Sequence, residues 1–152
     1  MPMSIKEEQD KLFTSNTTTI LYKLQFDGCS KGNPGLSGSG SVIYNDKNEE
    51  IWHNSTFIGD KYTNNYAEYM GLIIGLKYAV TQNIKHLLVE GDSMLVVKQM
   101  LGQYKVKSSS LVPLYNEAKQ LERHFTTISY NHIYRDHNKR ADELSNIALN
   151  HP

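Results

Sequence analysis

Between residues 20 and 26, Ile20, Tyr22, Leu24 and Phe26 alternate with polar neighbours. A period of two puts every second side chain on one face of an extended chain, which predicts a β-strand ending at Asp27-Gly28. Gly32-Asn33-Pro34-Gly35 has the residues of a turn. Residues 39–44 and 50–57 predict two more strands joined by Asn45-Asp46-Lys47-Asn48, so the chain opens with three sequential antiparallel strands. Thr63, Asn64 and Asn65 offer helix-capping side chains ahead of a helix over 66–82 that is apolar nearly all round, and therefore buried. A short apolar run at 86–89 predicts an interior strand, followed by helices over 94–101 and 111–125, a strand over 127–134 and a last helix over 139–149. The order βββαβααβα predicts an α/β fold, one mixed sheet flanked by helices. Residues 1–19 are polar, show neither period, and predict a mobile N-terminal arm before a single domain over 20–150.

Composition narrows the function classes. The 152 residues, 39% of them hydrophobic, suit one domain with a real core and are too apolar for a disordered chain. No apolar run approaches the roughly 20 residues that cross a bilayer, so a membrane partner is not expected. Cys29, the single cysteine, cannot form an internal disulfide. The first ten residues lack the basic-then-apolar pattern of a secretion signal. A reducing intracellular compartment is expected, the cytoplasm first and the nucleus as the alternative. Charges balance at 16 Lys+Arg against 16 Asp+Glu, which argues against coating nucleic acid by net positive field but leaves nucleic acid open as a partner. Their distribution is uneven: between Ser93 and Arg140 eight Lys or Arg stand against three acids, a local +5.

Four carboxylates occupy positions where chemistry collects. Glu68 is the only charge between Tyr62 and Leu76, in a helix otherwise built of apolar and small residues. If buried there it needs a cation or a proton, although a first-turn Glu facing water is the simpler alternative. Asp92 follows an apolar strand and precedes a helix, where ligand-binding groups of α/β folds gather; an N-cap role shared with Ser93 explains it equally well. Asp27 closes the first strand and could be a turn residue. Asp142 lies in the opening turn of the last helix, opposite a face of Ala141, Leu144 and Ala148, and could simply complement the helix dipole. Clustered carboxylates without Cys or His would make a hard-oxygen site suited to Mg²⁺ or Mn²⁺. Spacing alone does not make them converge.

Four motifs carry more than their separate residues: Asp27-Gly28-Cys29-Ser30-Lys31-Gly32-Asn33-Pro34-Gly35; Thr63-Asn64-Asn65 with Ala67-Glu68; Gly91-Asp92-Ser93; and the run NKRADEL from Asn138 to Leu144. In order and context they resemble the type 1 ribonuclease H family, over about residues 21–149. The resemblance implies a ribonuclease H-like fold, a five-stranded mixed sheet of order 3-2-1-4-5, and a metal site formed by Asp27, Glu68, Asp92 and Asp142. It implies an endoribonuclease that cuts the RNA strand of RNA–DNA hybrids by two-metal-ion chemistry, with Mg²⁺ as cofactor and Mn²⁺ as substitute, leaving 5′-phosphate and 3′-hydroxyl ends. Gly28, Cys29, Ser30, Asn33, Asn64 and Asn65 become candidates for reading 2′-hydroxyls in a wide, shallow minor groove, and Thr63 for holding a phosphate of the DNA strand. Two other readings stay open: a nucleic-acid-binding module of the same fold without turnover, and an enzyme acting on double-stranded RNA. A monomer is expected.

Departures from the family pattern also matter. Many relatives carry a basic, Trp-rich protrusion before the fourth helix, whereas here residues 102–107 lead quickly to Leu111, the short form of the family. Lys105 and Lys107 are candidate phosphate contacts, with a solvated loop as the alternative. Trp52 is expected to pack within the third strand rather than to stack on a base. A histidine ten residues before the final Asp assists turnover in many relatives. That count lands on His132, inside the expected strand, and so is set aside; alignment on Asn138 leaves Arg135 or His137 nearest the required place, with His137 the favoured assistant.

Overall fold

A computed structural model describes residues 19–152. The expected N-terminal arm, apart from Thr19, lies outside the described residues. The elements run β1 (Leu21–Lys31), β2 (Gly35–Tyr44), β3 (Glu50–Tyr62), α1 (Asn64–Thr81), β4 (His86–Gly91), α2 (Met94–Met100), α3 (Val112–Glu122), β5 (Thr127–His132), a 3₁₀ turn (Arg135–His137) and α4 (Lys139–Ala148). The five strands form one sheet of order β3-β2-β1-β4-β5. β1, β2 and β3 pair antiparallel, while β4 runs parallel to both β1 and β5.

β1 explains the two-layered packing. Leu24, Gln25, Phe26 and Asp27 are all buried, so this strand is covered on both faces. Leu24 and Phe26 join Leu72, Ile73 and Leu76 of α1 in the main core. On the opposite face α4 lies over β2 and sets Ala141 and Leu144 against Val42. α1 is buried along most of its circumference because it lies between the sheet and α3, in keeping with its unbroken apolar sequence. Trp52 packs against the main core and stacks on Tyr78 at 4.2 Å between ring centroids.

Three elements run further than their sequence patterns suggest. β1 continues past Asp27-Gly28 to Lys31, β2 begins at Gly35, and β3 extends to Tyr62. These extensions are held by ladder pairing such as Cys29↔Gly38 and Gly38↔Phe57, in stretches whose glycines and serines carry no alternation. The expected last strand stops at His132 rather than residue 134. α1 begins two residues earlier than expected, at Asn64, because Thr63 is its N-cap: the Thr63 hydroxyl oxygen accepts from the Tyr66 N–H at 3.1 Å.

A candidate active site of clustered carboxylates

Strand register brings the first two acids together. Phe26 pairs with Gly91 across the parallel β1–β4 ladder. Asp27 and Asp92 each follow by one residue, so both emerge where the parallel pairing ends: β4 stops at Gly91, while β1 runs on paired only to β2. Open α/β sheets place their ligands beyond the carboxyl ends of parallel strands such as β4. Glu68 arrives from α1 because Gly28 has no side chain. A Cβ there would lie 2.3 Å from the backbone of Ala67 and of Glu68, so only glycine admits this approach. The Ser39 and Ser41 hydroxyls donate to the Ala67 and Gly71 carbonyls at 2.6 and 2.5 Å and fasten the helix to β2. Gly40 plays the matching part for α4, since a Cβ there would meet the Ala141 carbonyl at 2.3 Å. Asp142 thereby reaches the same cleft.

Asp27 is 4% exposed and Glu68 7%. Carboxylate oxygens of Asp27, Glu68 and Asp92 lie within 4.8 Å of one another. Burial above all pushes the Asp27 carboxyl from 3.8 up to about 7, and the charges of Asp92 and Asp142 add to the rise; bonds with Glu68 and the Gly28 N–H oppose it. Glu68 is raised well above the usual carboxylate range, first by burial and then by the charge of Asp27. Asp92 is raised by burial and relieved by its bond with Asp27 and by the Arg135 guanidinium. Three such acids do not ionise together without a cation or a shared proton. Glu68 Oε2 is buried with no hydrogen-bond partner among the described residues. An orphaned carboxylate oxygen on a residue of a three-carboxylate cluster, with oxygen-only donors, fits a hard divalent cation.

The alternatives left by the sequence now separate. The capping of α2 belongs to Ser93, whose hydroxyl oxygen accepts from the Val96 N–H at 3.2 Å. Glu68 does not face water, and Asp27 is no turn residue. Asp142 lines the cleft but is not among the three acids within 4.8 Å. Asn146, one turn further along α4, donates to Asp142 Oδ1 at 3.2 Å and to the Asp142 carbonyl at 2.9 Å.

One cleft of about 580 Å³ is lined by the four acids together with Gly28, Cys29, Ser30, Asn64, Asn65 and Arg135. The Cys29 thiol turns to the Ser145 carbonyl (3.3 Å), and the Ser30 hydroxyl donates to the Tyr62 carbonyl (2.6 Å). Asn33 does not line this cleft; its side-chain oxygen accepts from the Asn64 N–H at 2.9 Å and so braces the start of α1. Thr63, Lys105 and Lys107 are also outside the lining. Lys105 instead borders a second groove, of about 550 Å³, between the segment after α2 and the start of α3.

The structure places the candidates of the loop before α4 differently from one another. His137 is 72% exposed, its nearest charged partner is Asp136 at 4.0 Å, and it does not line the cleft, because the 3₁₀ turn carries it outward while Arg135 remains inside. His132, set aside as a strand residue, does line the cleft, and its Nε2 lies 3.2 Å from the Asp92 carbonyl oxygen. Sequence reasoning also missed Asn138. It is 0% exposed, and its amide donates to the Phe26 carbonyl at 2.9 Å, tying the start of α4 to the residue before Asp27. Its place in the NKRADEL run was the available signal.

Carboxylates clustered where the parallel pairing of β1 and β4 ends, on a sheet of order 3-2-1-4-5, are the arrangement of a ribonuclease H-like fold. Comparison with known proteins agrees: the reverse transcriptase-like family model matches residues 25–148. The chain is 40% identical over 126 residues to the bifunctional protein Rv2228c of Mycobacterium tuberculosis, covering 83% of this chain and 35% of that protein. The N-terminal RNase H domain of Rv2228c superimposes with a TM-score of 0.84 at 39% identity, over 87% of this chain and 95% of that one. RNase H1 of Halobacterium salinarum gives 0.83 at 34% identity, over 87% and 99%. LC11-RNase H1, solved in complex with an RNA/DNA hybrid, gives 0.78 at 34%, over 85% and 96%. The chain belongs to the type 1 ribonuclease H family. It spans about a third of the length of the mycobacterial relative.

Proposed function

We propose that this chain is an endoribonuclease that hydrolyses the RNA strand of RNA–DNA hybrids with Mg²⁺ ions held by Asp27, Glu68, Asp92 and Asp142, Mn²⁺ serving as substitute. The observation that carries the reading is the acidic triad, with Asp27 and Glu68 buried, Asp92 half-buried and Glu68 Oε2 unpartnered, set in an open cleft. The LC11 relative in complex with a hybrid supports the substrate class. Divalent cations bound there would generate the attacking hydroxide from water and stabilise the departing 3′ oxygen.

The protein's own groups do the rest. Burial and their mutual charge raise the proton affinity of Asp27 and Glu68, a cost that a cation held between them would offset. Asn146 restrains the carboxylate of Asp142, which also lines the cleft. Arg135, whose charge already acts on Asp92, offers a phosphate-directed cation within the cleft. Asn64, Asn65 and residues 28–30 also line the cleft, and their amides would reach 2′-hydroxyls in a shallow minor groove. A module that only bound nucleic acid would gain nothing from buried carboxylates turned toward a polyanion.

Labelled hybrid, double-stranded RNA, single-stranded RNA and duplex DNA, each incubated with Mg²⁺, Mn²⁺ or chelator, test the proposal. Metal-dependent cutting of the RNA strand of the hybrid, with 5′-phosphate and 3′-hydroxyl products, is the expected result. Preferential cutting of double-stranded RNA would shift the substrate, and binding without cutting would favour the non-catalytic reading.

A further inference from the structure

Tyr134 is the most exposed large apolar side chain of the described residues, at 74%. It follows β5 and precedes the 3₁₀ turn, and it lines the carboxylate cleft next to Arg135. So exposed a ring contributes little to folding. Its placement is nevertheless supported: the ring meets the His132 imidazole edge-on, with centroids 5.8 Å apart and planes at 81°. The His132 Nε2 in turn lies 3.2 Å from the Asp92 carbonyl oxygen. A bare aromatic face thus stands on a two-step support whose foot is the backbone of an acid of the triad.

Resting on the functional reading above, we infer that Tyr134 is a substrate-positioning ledge, its ring packing against the ribose of a nucleotide in the strand being cut, beside the phosphate under attack. Charge and shape argue for this occupant. Arg135, the next residue, supplies the cation for that nucleotide's phosphate, and the acids mark where the strand is cut. In a duplex the base faces are already stacked on one another, so the apolar surface left for a ring is the sugar. Stacking of nucleotides on aromatic rings is sequence-tolerant, because it reads a face rather than hydrogen-bonding groups.

The ribose is unchanged by phosphodiester hydrolysis, so the contact holds substrate and transition state alike. It should therefore appear in KM and not in kcat. Steady-state cleavage of a labelled hybrid by wild type, Tyr134→Ala and Tyr134→Phe tests this, with thermal melts of all three. Tyr134→Ala is expected to raise KM about tenfold, equivalent to about 1.4 kcal/mol, with kcat within about twofold and the melting temperature unchanged. Tyr134→Phe keeps the face and should match wild type. An unaltered KM in Tyr134→Ala, a loss confined to kcat, or a Tyr134→Phe variant as impaired as Tyr134→Ala would each overturn the ledge while leaving the functional reading standing. A wild-type protein that cuts no hybrid overturns both.

Discussion

Replacing Asp27 by Asn should make the metal-free protein more stable at neutral pH, although it removes a group the proposed reaction needs. The wild-type carboxyl is raised from 3.8 to about 7, chiefly by burial. At 1.36 kcal/mol for each tenfold change in proton affinity, the charged form costs up to about 4 kcal/mol when no cation is bound. An Asn at this position retains an oxygen to accept the Gly28 N–H, bonded at 2.9 Å in the wild type, and turns an NH₂ toward Glu68. Because Glu68 beside it is raised as well, chiefly by its own burial, removing one acid relieves only part of the cost. About 2 kcal/mol or more is expected, near 4 to 8 °C in melting temperature for a chain of this size. The sign with pH follows from the raised value. Below about pH 4 both folded and unfolded chains hold the proton; between about 4 and 7 the folded chain keeps a proton that the unfolded chain releases. This contribution to stability is therefore lost as pH rises through about 7. Thermal melts in chelator at pH 5 and pH 8 should show wild type falling further behind Asp27→Asn at pH 8. Saturating Mg²⁺ should then raise wild type, by about 2.7 kcal/mol at a hundredfold excess over Kd, and leave the variant nearly unchanged. If Asp27→Asn melts at or below wild type in chelator at pH 8, the strained triad is not what the geometry describes.

Asp92→Asn should lower metal-dependent cleavage by about three orders of magnitude or more, roughly 4 kcal/mol of barrier, with an unchanged circular-dichroism spectrum; a tenth of wild-type activity would point to another centre. Arg135→Ala should slow turnover about tenfold or more while His137→Ala stays close to wild type, because only Arg135 lines the cleft; single-turnover rates of the two variants decide it. Asn138→Ala should cost about 2 kcal/mol in urea unfolding, since it strands the buried Phe26 carbonyl, and Asn138→Asp should not restore it because an ionised carboxylate cannot donate.

Much of this protein could be read from its sequence because the signals were local. Alternation in Ile20–Phe26, the apolar run of α1 and the short run before Gly91 each report burial along one element, and these fixed the element order. The type and position of Asp27, Glu68, Asp92 and Asp142 were equally visible, since an acid in apolar company or at an element end stands out within a few residues. Where local signals faded, so did the reading: β1 runs on through Gly28, Cys29 and Ser30, held by pairing to β2 that no periodicity reveals. Convergence was a tertiary matter. Asp27 and Asp92 are neighbours because Phe26 pairs with Gly91, and Glu68 joins them because Gly28 lets the backbone of α1 come close. The loop before α4 shows the same division most clearly. Sequence spacing could nominate His132, Arg135 and His137 but not choose among them, because which side chains face the cleft depends on where β5 ends and how the 3₁₀ turn rotates the chain, and packing of β5 against β4 and of Asn138 against Phe26 sets both.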